Sequence, residues 1–220
     1  MGESHSRLDA FTDAAFAFAV SLLVIGGAGA PADFNLLVRA LADIPAFAIG
    51  FAIVAMFWHG HVRWRTMRGP GDKVSHFLTL LLVFLTLIYV QPLRAMAAAS
   101  GLWFTGQGAG FSGNLAGLFA VYGTGFVAMS LTLAALFSDA LRNPALDDEG
   151  RQVVRGERTI WLILCATGLV SIAVSLTRYG VLAAMAYATL PITIGVFAGR
   201  FDWTGAKVRD GEVVDTPKEA

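Results

Sequence analysis

The chain has 220 residues, 56% of them hydrophobic and 15% charged, and its formal net charge is zero. A soluble domain is about a quarter charged, so this composition excludes an ordinary soluble fold, and the charge balance leaves nucleic acid without an electrostatic reason to bind. The charges cluster between long apolar runs, which is how a membrane protein is written.

A membrane span needs roughly 20 mostly apolar residues. The chain has room for about six such spans and no separate soluble domain. The first, about 8–30, opens on RLDAFTDAAFAFAVSLLVIGG and ends in GGAGAP. The second, about 40–62, contains LADIPAFAIGFAIVAMFW. The third, about 75–97, reads HFLTLLLVFLTLIYVQPLRAM, and the fourth, about 113–138, reads GNLAGLFAVYGTGFVAMSLTLAALF. The fifth is ERTIWLILCATGLVSIAVSLT at about 157–177, and the sixth is GVLAAMAYATLPITIGVFAG at about 180–199. Unpaired backbone groups are too costly in lipid and no barrel-like alternation is present, so all six are expected to be helices. Residues 201–220, ending KVRDGEVVDTPKEA, read as a polar, disordered cytoplasmic tail.

Lys and Arg set the orientation. Arg63, Arg65, Arg68 and Lys73 follow the second span, Arg142, Arg151, Arg155 and Arg158 follow the fourth, and Arg200, Lys207, Arg209 and Lys218 follow the sixth. With Arg7 they fall on one side of an even-numbered arrangement, against Arg39, Arg94 and Arg178 on the other. Both ends are therefore expected to be cytoplasmic, in an inner membrane. No cleavable signal peptide is expected. The single cysteine, Cys165, forms no intrachain disulfide and points to no redox compartment. No internal repeat is visible, so symmetry in a pore requires several copies of the chain.

Little points to catalysis. His5, His59, His61 and His76 form no zinc pattern. GQGAG at 106–110 lacks the Lys-Ser of a phosphate loop. No enzyme and no cofactor are expected. VYGTG at 121–125 is not the TVGYG filter of ordinary potassium channels, because the order differs and it lies inside a full-length span. Its small residues, with Gly113 and Gly117 in G-x-x-x-G spacing, read as close helix packing. In WHGHVRWR (58–65) the tryptophans fit an aromatic belt and Arg63 and Arg65 fit membrane anchoring. The histidines are not explained that way.

The opening stretch poses the sharper question. At about 100° per residue, Asp13, Val20, Val24 and Gly27 fall in one narrow stripe, with Asp9 on its edge. Arg7 snorkels to head groups and Asp9 favours a helix start. Asp13 lies about a turn inside the apolar run, where an unpaired carboxylate is expensive. It needs a donor on a neighbouring helix. His61 and the arginines ending the second span are available, and the sequence does not choose among them.

R-L-D-A-F-T-D (7–13) resembles the R-x-x-x-F-S-D motif that opens the first span in the transmembrane protein 175 family. Arg7, Phe11 and Asp13 match, and Thr12 replaces Ser. AFAFAVSLLV (15–24) is similar to the family's F-A-I-A-I-T-L-L-V. MFWHGHVRW is similar to its W-x-x-H-H-R, with Trp58, His61 and Arg63 matching and Val62 in place of the second His. The later spans match only in hydropathy. The resemblance implies an all-α membrane protein of six transmembrane helices, assembled as a homotetramer whose first helices form the pore. It implies a potassium-permeable channel, with monovalent cations, the bilayer and other copies of the chain as partners. A hydrophobic constriction would fall at Val20, with Ser21 in the family's threonine place and Val24 and Gly27 further along the stripe. Arg7, Phe11, Thr12, Asp13, Trp58, His61 and Arg63 would form a network that holds the pore helix. Val20 is smaller than the family's isoleucine and Gly27 has no side chain, so a looser constriction is expected. A weaker expectation gives Asp9 a role in attracting cations. The main alternative is a proton- or cation-coupled secondary transporter using inward carboxylates and His61, and the third is a structural membrane protein.

Overall fold

The structure is a computed structural model. It describes residues 2–25, 33–35, 38, 41, 44–69, 71–104, 114–201, 203, 208–209 and 212–213, of which 2–6, 24, 25, 46, 97–104, 181 and the last four by backbone alone. Long helices run in order: α1 (Gly2–Ile25), α2 (Ile44–Arg68), α3 (Lys73–Phe104), α4 (Leu115–Ala140) and α5 (Asp148–Ser175). A 3₁₀ segment (Gly180–Ala184) then leads into α6 (Met185–Ala188) and α7 (Leu190–Arg200). Two-residue strands Val208–Arg209 and Glu212–Val213 pair antiparallel in the tail expected to be unstructured. Among the described residues, four segments are long and apolar enough to cross a membrane: Lys73–Met96, Leu115–Ala140, Asp148–Ser175 and Leu182–Arg200. The helices α1 and α2 are 24 and 25 residues long, each about 36 Å at 1.5 Å per residue, and the apolar run of α2 closes on a polar last two turns.

The element boundaries follow local chemistry. Asp72 starts α3 by accepting from the backbone N–H groups of Val74 and Ser75, both at 3.0 Å. Asn114 caps α4 through Gly117 N–H at 3.0 Å. Asp147 caps α5 through Gly150 N–H at 2.7 Å, with Asp148 and Glu149 in the first turn favoured by the helix dipole. That cap starts α5 at Asp148, well before the 157 expected from hydropathy, because the first turns stand outside the apolar run. The sixth span is not one continuous helix. Pro191 sits in the first turn of α7, where its missing N–H is tolerated, and the chain before it winds as 3₁₀ and a single helical turn.

Several hydroxyls inside the spans are satisfied within their own helices. Thr86 donates to Leu82 O, Thr124 to Ala120 O and Thr132 to Ala128 O, each at 2.8 Å. This keeps polar groups paired where no water competes.

The core is aromatic. Phe57 of α2 meets Phe126 of α4 at 5.6 Å and Trp161 of α5 at 5.4 Å, and Tyr122 links Tyr89 of α3 (5.4 Å) to Tyr187 of α6 (5.5 Å). Close approach depends on missing side chains. A Cβ at Gly123 would lie 2.7 Å from Ile172 and one at Gly168 would lie 2.6 Å from Val127, so α4 and α5 touch almost backbone to backbone. VYGTG is thus a packing segment: Tyr122 and Gly123 are buried in the middle of α4. Gly117, by contrast, faces its own cap residue Asn114, and Gly113 and GQGAG (106–110) lie outside the described residues.

Gly60 is where α2 crosses α5, and a Cβ there would come within 2.2 Å of the Trp161 ring. Gly60→Ala should therefore lower stability by about 1–3 kcal/mol through overpacking. Gly195→Ala, whose methyl meets nothing within 4 Å, should leave it unchanged or slightly raised. Thermal unfolding of the purified protein in detergent checks both.

Candidate functional site

The face of α1 that enters the core carries Thr12 (0% exposed), Phe16 (3%) and Ala19 (0%). Burial of a threonine here is affordable because its hydroxyl donates to Leu8 O at 2.9 Å. The opposite face is free within the protomer: Ala10, Ala14, Ala17, Phe18 and Ser21 are all exposed. Small residues on a membrane helix allow another helix to come close.

Asp13 is met by the indole of Trp58, whose Nε1–H donates to its carboxylate at 2.9 Å. The donor required on a neighbouring helix is therefore neither His61 nor an arginine. Asp9 takes an arginine instead: Arg65 Nε lies 2.9 and 3.1 Å from its two oxygens. The same guanidinium donates through Nη1 to Gly69 O. Gly69 closes α2 with φ of +64°, the left-handed conformation in which a side chain would be strained. Arg65 thus ties the head of α1 to the turn between α2 and α3. A paired Asp9 is a poor lure for cations, which weakens that expectation.

His61 is 3% exposed, with Nε2 within 3.3 Å of Thr79 Oγ1 on α3 and its ring 5.2 Å from that of Trp64. Trp64 itself is buried at 2% exposure, so it belongs to the core and not to an aromatic belt. Arg63 pairs with Glu157 of α5 at 2.7 Å. The deepest ion pair is one that the sequence reading missed. Asp139, at the end of α4, accepts from Arg68 Nε at 2.7 Å and from Ser75 Oγ at 2.6 Å, with the Arg142 guanidinium at 3.6 Å. Arg68 and Asp139 are both more than nine-tenths buried. The signal was present: Asp139 ends an apolar run as Asp13 begins one, and the same cost argument applies to both.

The structure brings some of the expected network residues together and leaves others apart. Asp13 and Trp58 are joined directly, Thr12 is buried beside them, and His61 and Arg63 bond onward to α3 and α5. Arg7 is exposed and Phe11 is 54% exposed, so neither packs into the protomer. Of the stripe, Val20 is half-buried against the core, at the border between the packed and free faces, and Ser21 is on the free face with its hydroxyl donating to Ala17 O at 3.0 Å. The side chain of Val24 and the whole of Gly27 lie outside the described residues.

Except for Asp139, Arg142 and Glu157, these side chains lie in a segment that is similar to known proteins. The family described as "Endosomal/lysosomal potassium channel TMEM175" matches residues 7–92. In this segment, less than half of the chain, it is similar to the TMEM175 family. A protein of Marivirga tractuosa named "Potassium channel" is 35% identical over 96 residues, which are 44% of this chain and 38% of that relative. The match thus spans about two fifths of the relative's length. The crystal structure of a variant of the potassium channel MtTMEM175, in complex with a nanobody–MBP fusion, is similar with TM-score 0.76 and 26% identity, over 88% of this chain and 91% of that one. The TMEM175 likeness in structure therefore extends beyond the segment recognised in sequence.

The geometry ranks the polar contacts. Asp139→Ala removes the closest partner of the buried Arg68, leaving the Asp72 carboxylate at 3.7 Å, and should cost about 3 kcal/mol. Asp9→Asn loosens a pair that is partly exposed (22% and 37%), and should cost about 1 kcal/mol or less. Trp58→Phe removes a hydrogen bond between two exposed side chains and should likewise cost about 1 kcal/mol. Thermal unfolding of the three variants tests the order. A pH series adds a sign. Hydrogen bonds, first from Ser75 N–H, hold the exposed Asp72 carboxyl below its usual value. The stability it contributes is present at neutral pH and lost as pH falls through that lowered value. The difference in melting temperature between wild type and Asp72→Ala should therefore shrink in acid.

Proposed function

We propose that the chain is the protomer of a potassium-permeable cation channel. Four copies would assemble in an inner membrane with both chain ends in the cytoplasm and the α1 helices around a central axis. Conduction is passive and the narrow point is a hydrophobic ring at Val20, continued by Ser21, Val24 and Gly27. The observation that carries this reading is the structural likeness to a potassium channel over nine-tenths of each chain. Two features of the protomer support it. The free face of α1 is made of Ala10, Ala14, Ala17 and Ser21, which suits close packing around an axis. The interhelical contacts also gather Arg63, Arg65, Arg68 and Arg142 at one end of the bundle, as the positive-inside rule requires of a cytoplasmic face.

Val20 stands at the border of the two faces, so its part in the constriction depends on which way α1 is turned in the assembly. Potassium flux into liposomes, with Val20→Ala, Val20→Trp and Ser21→Trp beside wild type, tests this. Flux is expected to be abolished by Val20→Trp and kept or raised by Val20→Ala. Loss on Ser21→Trp alone would move the narrow point to the small-residue face. Saturating flux coupled to a counter-ion would replace the channel by a transporter.

A further inference from the structure

Between the head of α1, the last turn of α2 and the start of α3 lies a cavity of about 10 Å³ whose lining includes Asp9, Trp64, Arg65, Ser75 and Thr79. Trp64 is 2% exposed, and its Nε1–H is buried with no hydrogen-bond partner among the described residues. Buried donors in folded proteins are almost always satisfied, by protein or by ordered water. Trp64 is among the residues that line the cavity.

We propose that the cavity is a binding site for one water molecule, which accepts from Trp64 Nε1–H and donates to the oxygens of Asp9 and Thr79. The size fits, because a buried water needs roughly 10–15 Å³ and two to four polar partners. The chemistry selects water over other occupants. The unmatched group is a donor, so it demands an acceptor, and a cation held by the oxygens of Asp9 and Thr79 would leave it unmatched. An anion would face the carboxylate of Asp9, while the charge of Arg65 is already committed to that carboxylate at 2.9 Å. An organic ligand is too large. The water joins three helices at one point, because Asp9 stands on α1, Trp64 on α2 and Thr79 on α3. It sits beside the Asp9–Arg65 pair and next to the Thr79 hydroxyl that bonds His61. The site stands whether or not the protein conducts potassium.

The test uses the full chain in nanodiscs. The Raman difference spectrum of wild type minus Trp64→Phe isolates the N–H band of this indole. A hydrogen-bonded band is expected, together with a density peak at hydrogen-bond distance from Nε1 in a map fine enough to show other buried waters. A free-indole band overturns the proposal. So does such a map without the peak, or a direct bond from Nε1 to a protein atom. Collecting the map with bromide in place of chloride identifies an anion by anomalous signal, and a peak there would also overturn it.

Discussion

A carboxylate one turn inside an apolar helix must be met by a donor before that helix can lie against its neighbours. The indole of Trp58 meets Asp13 at 2.9 Å, and the rest of this end of the bundle is consistent with that constraint. The contact fixes how α1 and α2 cross at one depth. One turn out, Asp9 then falls within reach of Arg65. Two positions beyond Trp58, Gly60 lets Trp161 of α5 close onto α2. One position further, His61 reaches Thr79 of α3. A polar last two turns of α2 would be a liability in lipid. Here they are the surface on which α1, α3, α4 and α5 are all registered.

The strength of these links is uneven, and burial decides which are structural. Arg68 and Asp139 are withdrawn from water and bond directly, with Ser75 also donating to Asp139, so losing either leaves a buried charge with only a longer contact to Asp72 or Arg142. Asp9 and Arg65 stand in partial contact with solvent, where Coulomb attraction is weak and salt weakens it further. The bundle is thus braced firmly around the α2–α3 turn and more lightly at α1. Together with Gly123 and Gly168 at the α4–α5 contact, this describes a stiff block of α2 to α5, against which the first helix lies by Thr12, Phe16 and Ala19.

Much of this was legible in the sequence because lipid makes the rules strict. Long apolar runs had to be helices, and arginines falling at alternate loops had to gather at one end. The cost of Asp13 foretold a donor on a neighbouring helix. Its identity was not legible, because an indole N–H serves as well as an imidazole or a guanidinium, and the choice depends on how two helices cross. Trp64 was misread for the same reason: a tryptophan near a span end is a belt residue or a core residue according to which way its helix turns. Asp139 was overlooked although the argument that singled out Asp13 covers it. The break before Pro191 was written in the proline itself, and hydropathy averaging hid it.

The hydroxyls on the spans carry the argument one step further. Where such an O–H donates to the carbonyl one turn earlier, its proton is spoken for and its oxygen lone pairs point away from that carbonyl. Ser21 does this, donating to Ala17 O at 3.0 Å from the free face of α1. Whatever that face meets, it meets an acceptor rather than a donor. If the α1 helices surround a pore, such a ring of oxygens, next to the apolar ring of Val20, offers a partly dehydrated cation some of what it loses from its water shell and offers an anion nothing. In that arrangement the same local bond that makes the serine tolerable in a membrane helix would favour a cation over an anion.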